Sequence, residues 1–340
     1  MNLMNILVTG GLGYIGSHTS VELLEAGHNV IVIDNLSNSK EIVKDKIKEI
    51  TGKNIKFYKY DLLNSCDIEK VFEENNIDSV IHFAALKAVG ESVEKPLEYY
   101  HNNITSTLHL LNVMRKFNVK NFVFSSSATV YGDSKIMPIN EECELSFTNP
   151  YGGTKLMIED ILRDLYKSDN SWNIAILRYF NPVGAHESGL IGENPKGIPN
   201  NLMPYITKVA IGELEELSVF GDDYDTIDGT GVRDYIHVVD LAIGHIKALE
   251  KLETKPGLIT YNLGTGNGYS VLQLVKAFSE ASQREVKYKI VGRRAGDVAI
   301  CYADATKANK ELGWTAKRDI RDMCRDSWNW QSKNPKGFED

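Results

Sequence analysis

The chain has 340 residues, of which 42% are hydrophobic and 25% charged, and its formal net charge is −8. This composition is typical of a globular protein, and an acidic chain with no long basic run excludes general nucleic-acid binding. No apolar stretch approaches the roughly 20 residues that cross a bilayer, so we expect no membrane partner. Four cysteines are scattered without a CxxC pair. They indicate reduced thiols and no metal site, and a first strand that leaves no room for a signal peptide adds the expectation of a cytoplasmic protein.

Apolar, β-branched runs alternate with helical patterns through the first half of the chain. The predicted strands are Asn5–Thr9, Val30–Asp34, Ile55–Tyr60, Ser79–Phe83, Asn121–Ser125 and Ile174–Tyr179. The predicted helices are Ile15–Ala26, Lys40–Thr51, Asp67–Asn75, Glu98–Phe117 and Gly152–Ser168. Such alternation predicts an α/β fold with a doubly wound, Rossmann-like parallel sheet that binds ligands at the carboxyl ends of its strands.

A glycine-rich turn joins the first strand to the first helix. Gly10 and Gly11 permit a tight turn, Gly13 permits close approach to a pyrophosphate, and Gly16 lets the helix pack against the sheet. The helix would direct its N-terminal N–H groups toward the phosphates. The second strand ends at Asp34, an acid placed to accept hydrogen bonds from ribose hydroxyls and to repel a 2′-phosphate. The pattern therefore predicts NAD rather than NADP as the cofactor.

Tyr151 and Lys155 are four residues apart at the start of a predicted helix, so they share one face. A nearby ammonium stabilises a phenolate, and we therefore expect Lys155 to lower the pKa of Tyr151 toward the working pH of a general base. The alternative is an ordinary solvated surface pair.

Three serines, Ser125 to Ser127, end the apolar strand before this helix. Ser127 would polarise the reacting hydroxyl and orient Tyr151, although serines also simply satisfy backbone groups at strand ends. Strand alternation leaves open which of the three faces the ligand.

The residue composition of the chain changes after residue 180. Asn181–Asn201 is rich in Gly, Pro and Asn and is predicted as a long ordered loop, and Ser134–Phe147 as a surface loop. We predict that residues 1–180 form the NAD-binding domain, that segments around 235–262 return to it, and that 181–340 form mainly a smaller, mixed α/β substrate lobe.

Together, Thr9–Gly16, Asp34, Ser125–Gly132 and Tyr151–Lys155 resemble the short-chain dehydrogenase/reductase superfamily in its extended branch, and most closely the nucleotide-sugar epimerases. The similarity extends through further segments to the end of the chain: His82–Ser92, Lys95–Tyr100, Leu177–His186, Gly197–Tyr205, Asp228–His237 and Trp328–Gln331. The resemblance implies reversible interconversion of UDP-glucose and UDP-galactose, by oxidation at C4 and re-reduction on the opposite face. It also implies a tightly held NAD, a UDP-hexose substrate and a homodimer.

The resemblance implies roles for individual residues. Tyr151 would be the acid/base, Lys155 its charge partner and Ser127 the third member. The implied cofactor residues are Tyr14 and Ile15 at the pyrophosphate, Asp34 and Asn35 at the ribose, Asn38 and Ser39 in the next turn, Asp61 and Leu62 at the adenine, Phe83, Ala84, Lys87 and Asn102 along the cofactor, and Tyr179 by the nicotinamide. The implied substrate residues are Asn181, Asn201 and Leu202, Ser218, Val219 and Phe220 at uracil, Arg233 and Arg294 at the diphosphate, Tyr235, and Asp297 at the uridine ribose.

Cys301 departs from family members that carry tyrosine at this place. Either the cysteine leaves room for 2-acetamido sugars, or it merely fills space as a small apolar residue. Three other functions compete with epimerisation. A 4,6-dehydratase needs an acid and a base where this chain has Ala128 and Thr129, a net dehydrogenase would accumulate NADH, and a non-catalytic NAD-binding regulator commonly lacks the tyrosine or lysine.

Overall fold

The computed structural model describes residues 3–197, 199, 201–294 and 297–338. Its strands, in chain order, are β1 (Asn5–Thr9), β2 (Asn29–Ile33), β3 (Lys56–Tyr58), β4 (Ser79–His82), β5 (Asn121–Ser127), β6 (Asn173–Tyr179), β7 (Asn181–Val183), β8 (Leu217–Phe220), β9 (Val232–His237), β10 (Leu258–Leu263), β11 (Gly268–Ser270), β12 (Tyr288–Val291) and β13 (Ile300–Cys301). Its helices are α1 (Tyr14–Glu25), α2 (Val43–Thr51), α3 (Ser65–Glu74), α4 (Val89–Glu94), α5 (Pro96–Tyr100), α6 (Ser106–Lys116), α7 (Pro150–Ser168), α8 (Leu202–Ala210), α9 (Val238–Leu252), α10 (Val271–Ser282), α11 (Thr306–Leu312) and α12 (Ile320–Lys333).

A seven-stranded sheet has the order β3-β2-β1-β4-β5-β6-β10, so it combines six strands from the first 179 residues with β10 from later in the chain. β1 pairs in parallel with β2 and β4, as β2 does with β3 and β4 with β5. The central strands are buried because helices cover both faces, and for that reason they are continuous apolar runs rather than alternating ones. The predicted doubly wound sheet is confirmed.

Chain contacts divide the molecule into two units. Unit 1 contains the chain up to Asp133, Glu144–Arg178 and Ala242–Tyr261. Its core lies beneath the sheet, around Leu7, Phe122 and Trp172.

Unit 2 contains Ser134–Cys143, Tyr179–Leu241 and the chain from Asn262 onward. It has a mixed sheet in which β9 pairs with β7, β11 and β13, and a two-stranded sheet of β8 and β12. Its core packs Ile206, Phe278 and Met323 together.

Two segments predicted as loops are structured differently. The first residues of the predicted loop Asn181–Asn201 form β7, which pairs in parallel with β9. In the predicted surface loop Ser134–Phe147, Ile139 is buried, and its N–H donates to the Tyr302 carbonyl at 2.9 Å. In both places a partner distant in sequence supplies the hydrogen bonds, and local composition does not reveal such a partner.

The predicted helix Glu98–Phe117 is divided. α5 and α6 flank one π-helical turn, His101–Thr105. No helix of the described residues is both long and apolar enough to span a membrane.

Candidate active site

The turn between β1 and α1 is closely packed. Gly10 has φ +69°, and a Cβ there would lie 2.9 Å from the Ala84 nitrogen. A Cβ on Gly16 would lie 2.2 Å from the Gly10 carbonyl oxygen, and one on Gly13 would lie 3.2 Å from the same atom. Gly13 caps α1 without a side-chain hydrogen bond, so the helix N-terminus at Tyr14 and Ile15 has no cap from that residue. Such a turn and helix terminus suit a phosphate group.

Asp34 follows β2 and is 8% exposed. Its carboxylate accepts hydrogen bonds from Leu12 N at 3.0 Å, Leu36 N at 2.9 Å and Ser39 Oγ at 2.7 Å. These bonds tie the glycine turn to the segment after β2, and the bend at Asn38 lies within that segment. The carboxylate is therefore held in place before any ribose reaches it.

Two further predicted cofactor residues contact each other beside Asp34. The Asn35 amide donates to the Asp61 carboxylate at 3.0 Å, and Leu62 behind it is buried. On the other side of β1, Phe83 and Ala84 directly follow β4.

Asn103 was missed in the sequence, where only its neighbour Asn102 is predicted. Its buried amide donates to the Leu86 carbonyl and to Thr154 Oγ1, both at 3.0 Å, and its carbonyl accepts from Leu86 N at 2.8 Å. This one side chain thus joins the loop that carries Lys87 to helix α7. It lies in the π-helical turn, a distortion frequently found at functional sites.

Helix α7 presents the predicted tyrosine and lysine. Asn149 caps the helix by accepting from Gly152 N at 2.9 Å. Lys155 is 3% exposed, and its Nζ donates to the Ser125 carbonyl at 2.6 Å. The same Nζ lies 4.9 Å from the centre of the Phe124 ring and 5.9 Å from that of Tyr151.

The three serines have three different environments. The Ser125 carbonyl accepts from Lys155, Ser126 Oγ donates to Glu159 at 2.6 Å, and the Ser127 side chain acts on Tyr151 by lowering the pKa of its phenol. Ser127 is therefore the serine that meets the tyrosine.

The pKa of Tyr151 shifts in the direction opposite to the expectation. Burial raises it to about 12, and the hydrogen bond with Ser127 counteracts only part of that rise. Burial also lowers the pKa of Lys155 to about 7, with the Glu159 carboxylate acting against the fall. The ammonium is directed at a backbone carbonyl and is itself partly desolvated, so it does not offset the desolvation of the phenol.

In unit 2 the predicted substrate residues lie on β7, β8, β9 and β13 and in neighbouring segments. Asn181 is exposed opposite the buried Tyr235 in the ladder of β7 and β9, and Arg233 lies opposite Cys301 in that of β9 and β13. Arg233 also forms an ion pair with Asp297, so these two predicted ligands contact each other here.

The other predicted substrate residues form two further groups. The Arg294 guanidinium lies 5.0 Å from the Phe220 ring centre, and Ser218 and Val219 precede Phe220 in β8. Asn201 donates to Glu193 at 2.7 Å, and Leu202 begins α8. Tyr179, the predicted neighbour of the nicotinamide, ends β6 and is buried.

Comparison with known proteins relates the whole chain to sugar-nucleotide enzymes. The family model described as GDP-mannose 4,6 dehydratase matches residues 7–327. A UDP-glucose 4-epimerase of Haemophilus influenzae is 63% identical over 338 residues, which cover 99% of this chain and 100% of the relative.

Two solved structures resemble the chain closely. The UDP-glucose 4-epimerase of Bifidobacterium longum in complex with NAD+ and UDP has a TM-score of 0.96 at 59% identity, covering 98% of this chain and 100% of that one. The Stenotrophomonas maltophila UDP-glucose-4-epimerase with bound NAD and formylated UDP-arabinopyranose has a TM-score of 0.96 at 51% identity, covering 98% and 99%.

Proposed function

This chain belongs to the family described as GDP-mannose 4,6 dehydratase and, within it, to the UDP-glucose 4-epimerases, and from that premise we propose how it interconverts UDP-glucose and UDP-galactose. Tyr151 carries the proton of the sugar 4-hydroxyl, Ser127 orients that hydroxyl and the phenol, and Lys155 supplies the positive charge beside them. The position of the Lys155 amine, 5.9 Å from the centre of the Tyr151 ring on the same helix, is the observation that carries this assignment.

NAD is the cofactor, and the residues present fit it. The turn leaves no room for a Cβ at Gly10 or Gly16, and the Asp34 carboxylate is fixed at its edge. Bound NAD supplies the hydride chemistry at C4, and the positive charge of its oxidised ring favours the phenolate of Tyr151.

Lys155 has an environment suited to proton transfer near neutral pH. Its pKa of about 7 means that the amine is partly charged there. The ammonium form donates to the Ser125 carbonyl, which fixes its position at the base of the serine segment. A phenol whose pKa is about 12 then depends on added positive charge before it acts as a base.

We propose that the second unit binds the nucleotide. Arg233 and Arg294 suit the diphosphate because a guanidinium offers a planar fork to phosphate oxygens. Asp297 exchanges its Arg233 partner for a ribose hydroxyl when the nucleotide binds. A firmly held nucleotide leaves the sugar free to present either face of C4, as the reaction requires.

Replacing Tyr151 tests the assignment. Tyr151→Phe retains the ring and loses the proton carrier, so we expect kcat to fall by about 10²–10⁴-fold or more. Product formation from UDP-galactose measures this without added cofactor, and Tyr288→Phe, on an exposed strand, is the matched control. A Tyr151→Phe enzyme with undiminished turnover would refute the role.

The rival activities differ in their products. Ala128 and Thr129 form part of a short 3₁₀ turn, and neither side chain carries protons near neutral pH, so elimination of water is disfavoured. A net dehydrogenase would build up NADH, whereas an epimerase regenerates NAD in each turnover. Absorbance of NADH during the same assay separates the two reactions.

We propose that the enzyme also accepts UDP-N-acetyl sugars. Cys301 lies opposite Arg233 in the β9–β13 ladder, and its side chain is small and half-buried. Burial raises the pKa of its thiol to about 11, so the residue is neutral and offers volume rather than charge. Cys301→Tyr fills that volume. It should reduce kcat/KM for UDP-N-acetylgalactosamine at least about tenfold relative to UDP-galactose. Wild-type protein that leaves UDP-N-acetylgalactosamine unchanged would contradict the proposal.

We further propose a cytoplasmic homodimer. Exposed apolar side chains cluster on neighbouring helices of unit 1: Val89 and Val93 on α4, Leu97 on α5, Leu108 on α6 and Met157 on α7. A patch of this kind on a folded protein is typical of an interaction surface. All four cysteines are free thiols, as expected in a reducing compartment.

A further inference from the structure

A buried ion pair lies beneath the catalytic helix and takes no part in the mechanism above. Arg178 on β6 is 2% exposed and Glu159 on α7 is 0% exposed. Arg178 donates from Nε to Glu159 Oε1 at 2.9 Å and from Nη2 to Oε2 at 2.6 Å. Its third nitrogen, Nη1, donates to the Tyr131 hydroxyl at 3.0 Å. The two-point geometry fixes the carboxylate plane relative to β6.

The Glu159 carboxylate also accepts a hydrogen bond from β5, the strand that ends in Ser125–Ser127. Ser126 Oγ donates to Glu159 Oε1 at 2.6 Å. Ser126 stands between Ser125, whose carbonyl accepts from Lys155, and Ser127, which meets Tyr151. The Glu159 carboxylate therefore joins α7, β5 and β6. It contacts β5 at Ser126, whose two neighbours contact Lys155 and Tyr151.

Burial makes this pair expensive for stability alone. Removing two charges from water costs several kcal/mol per ion, and apolar replacements of buried ion pairs are often neutral or stabilising. The pair therefore suggests a role beyond holding the fold.

Glu159 is also one helical turn after Lys155, on the same face of α7. Among the residues that the structure describes, the other groups that face the Lys155 amine carry no negative charge. His82 on β4 is neutral because burial, with Lys155 adding to it, lowers its pKa to about 3. The Phe124 ring, the carbonyl and hydroxyl of Ser125 on β5, and the phenol of Tyr151 also lie near the amine. Glu159 is the group whose charge favours the ammonium form.

We propose that Glu159, held by Arg178, is a positioning residue of the epimerase: it aligns Ser125–Ser127 with α7 and keeps the Lys155 amine charged during turnover. The proposal rests on the proposed function, because it requires that a charged Lys155 supports proton transfer by Tyr151. Glu159 touches neither substrate nor cofactor in this account and acts through its neighbours.

The pH dependence of kcat tests the charge role. Turnover declines as Lys155 loses its proton, so the titration of Lys155 sets the alkaline limb of the plot of kcat against pH. Glu159→Gln keeps the shape of the side chain and removes its charge, which moves that limb to lower pH by about one unit. In the alkaline range kcat then falls about tenfold, while KM for UDP-galactose changes little. Glu159→Asp, which retains the charge, should recover part of the alkaline activity.

Two controls separate this role from a loss of stability. Glu159→Gln/Arg178→Met removes the carboxylate together with the buried guanidinium. Arg163, the second arginine paired with Glu159, keeps its ion pair with Asp160, and the limb should remain shifted. Asp240→Asn removes another buried carboxylate, one that pairs with Arg318 in unit 2, and should lower stability without moving the limb. A wild-type pH profile in Glu159→Gln and in Glu159→Gln/Arg178→Met would overturn the proposal. If Tyr151→Phe alone kept full turnover, the proposed function itself would fail instead.

Discussion

Consecutive residues at the end of β5 have different tasks because the strand ends between a helix and the ligand edge. Ser126 is turned into the protein toward Glu159, while the Ser127 side chain lowers the pKa of the Tyr151 phenol. Ser125 contributes its backbone carbonyl to Lys155. Three residues of identical chemistry thus have different environments, because each one points in a different direction.

The shifted pKa of Lys155 makes the free energy of unfolding depend on pH. The folded protein releases the proton of Lys155 near pH 7, whereas the unfolded chain holds it up to the ordinary value of 10.5. Between these values the unfolded state binds more protons, so the free energy of unfolding rises with pH through this group, by at most about 1.4 kcal/mol per pH unit. Lys155→Met should lack that rise.

Urea denaturation at several pH values between neutral and about pH 9.5 measures the difference between wild type and Lys155→Met. Lys167→Met, at an exposed site of the same helix, is the control and should follow wild type. Equal pH dependence in all three proteins would show that Lys155 is not titrating in this window.

The residue pattern predicts which groups meet, but not how their protons are held. The spacing of Tyr151 and Lys155 places both at the site, as a helix requires. Burial raises the pKa of Tyr151, which the pattern did not indicate, because desolvation depends on neighbours that the sequence does not place. Glu159 and Arg178 went unnoticed for a similar reason: each is an ordinary surface residue until the fold buries both.

Where a strand or helix has one strong local sequence signal, most of its predicted ends lie within one to three residues of the observed ends. The apolar runs of β1 and β4 and the glycine turn before α1 are of this kind. The short helix α4 was missed because six residues show little periodicity, and the π-helical turn was read as continuous helix. β7 was missed because its strand character comes from pairing with β9.

Gly16 should be the least replaceable glycine of the turn. An alanine there places its Cβ 2.2 Å from the Gly10 carbonyl oxygen, a backbone atom that moves only with the whole turn. We expect Gly16→Ala to lose its retained NAD on gel filtration and to lose about 1–3 kcal/mol of stability through overpacking.

Gly90→Ala is the matched control for this change, since a Cβ at Gly90 meets nothing within 4 Å. It should retain NAD and, in a helix, stay as stable as wild type or become slightly more stable. Full retention of NAD by Gly16→Ala would show that the turn can adjust, contrary to its packing here.

At the scale of the whole molecule, the chain contributes to each unit in several separate segments. The central sheet receives β10 from late in the sequence, and unit 2 receives Ser134–Cys143 from within a region that otherwise belongs to unit 1. Local patterns identify the elements themselves. They do not report which distant segments complete a sheet or a core, because those pairings are decided by long-range contacts.

The proposed dimer gives a prediction for the assembled protein. Val93 is 62% exposed and Leu97 is 78% exposed on adjoining helices. In a monomer this apolar surface stays in contact with water, which is unfavourable. Val93→Glu/Leu97→Glu places like charges on both copies of the patch, so sedimentation equilibrium should find a monomer where wild type is a dimer. Ile136→Glu, at a residue 58% exposed in unit 2, should leave the dimer intact. Burying two carboxylates per subunit costs more free energy than the apolar contact provides, so the double variant should not dimerise through this patch. A double variant that stays dimeric would place the interface elsewhere. A wild-type protein that sediments as a monomer would refute the dimer.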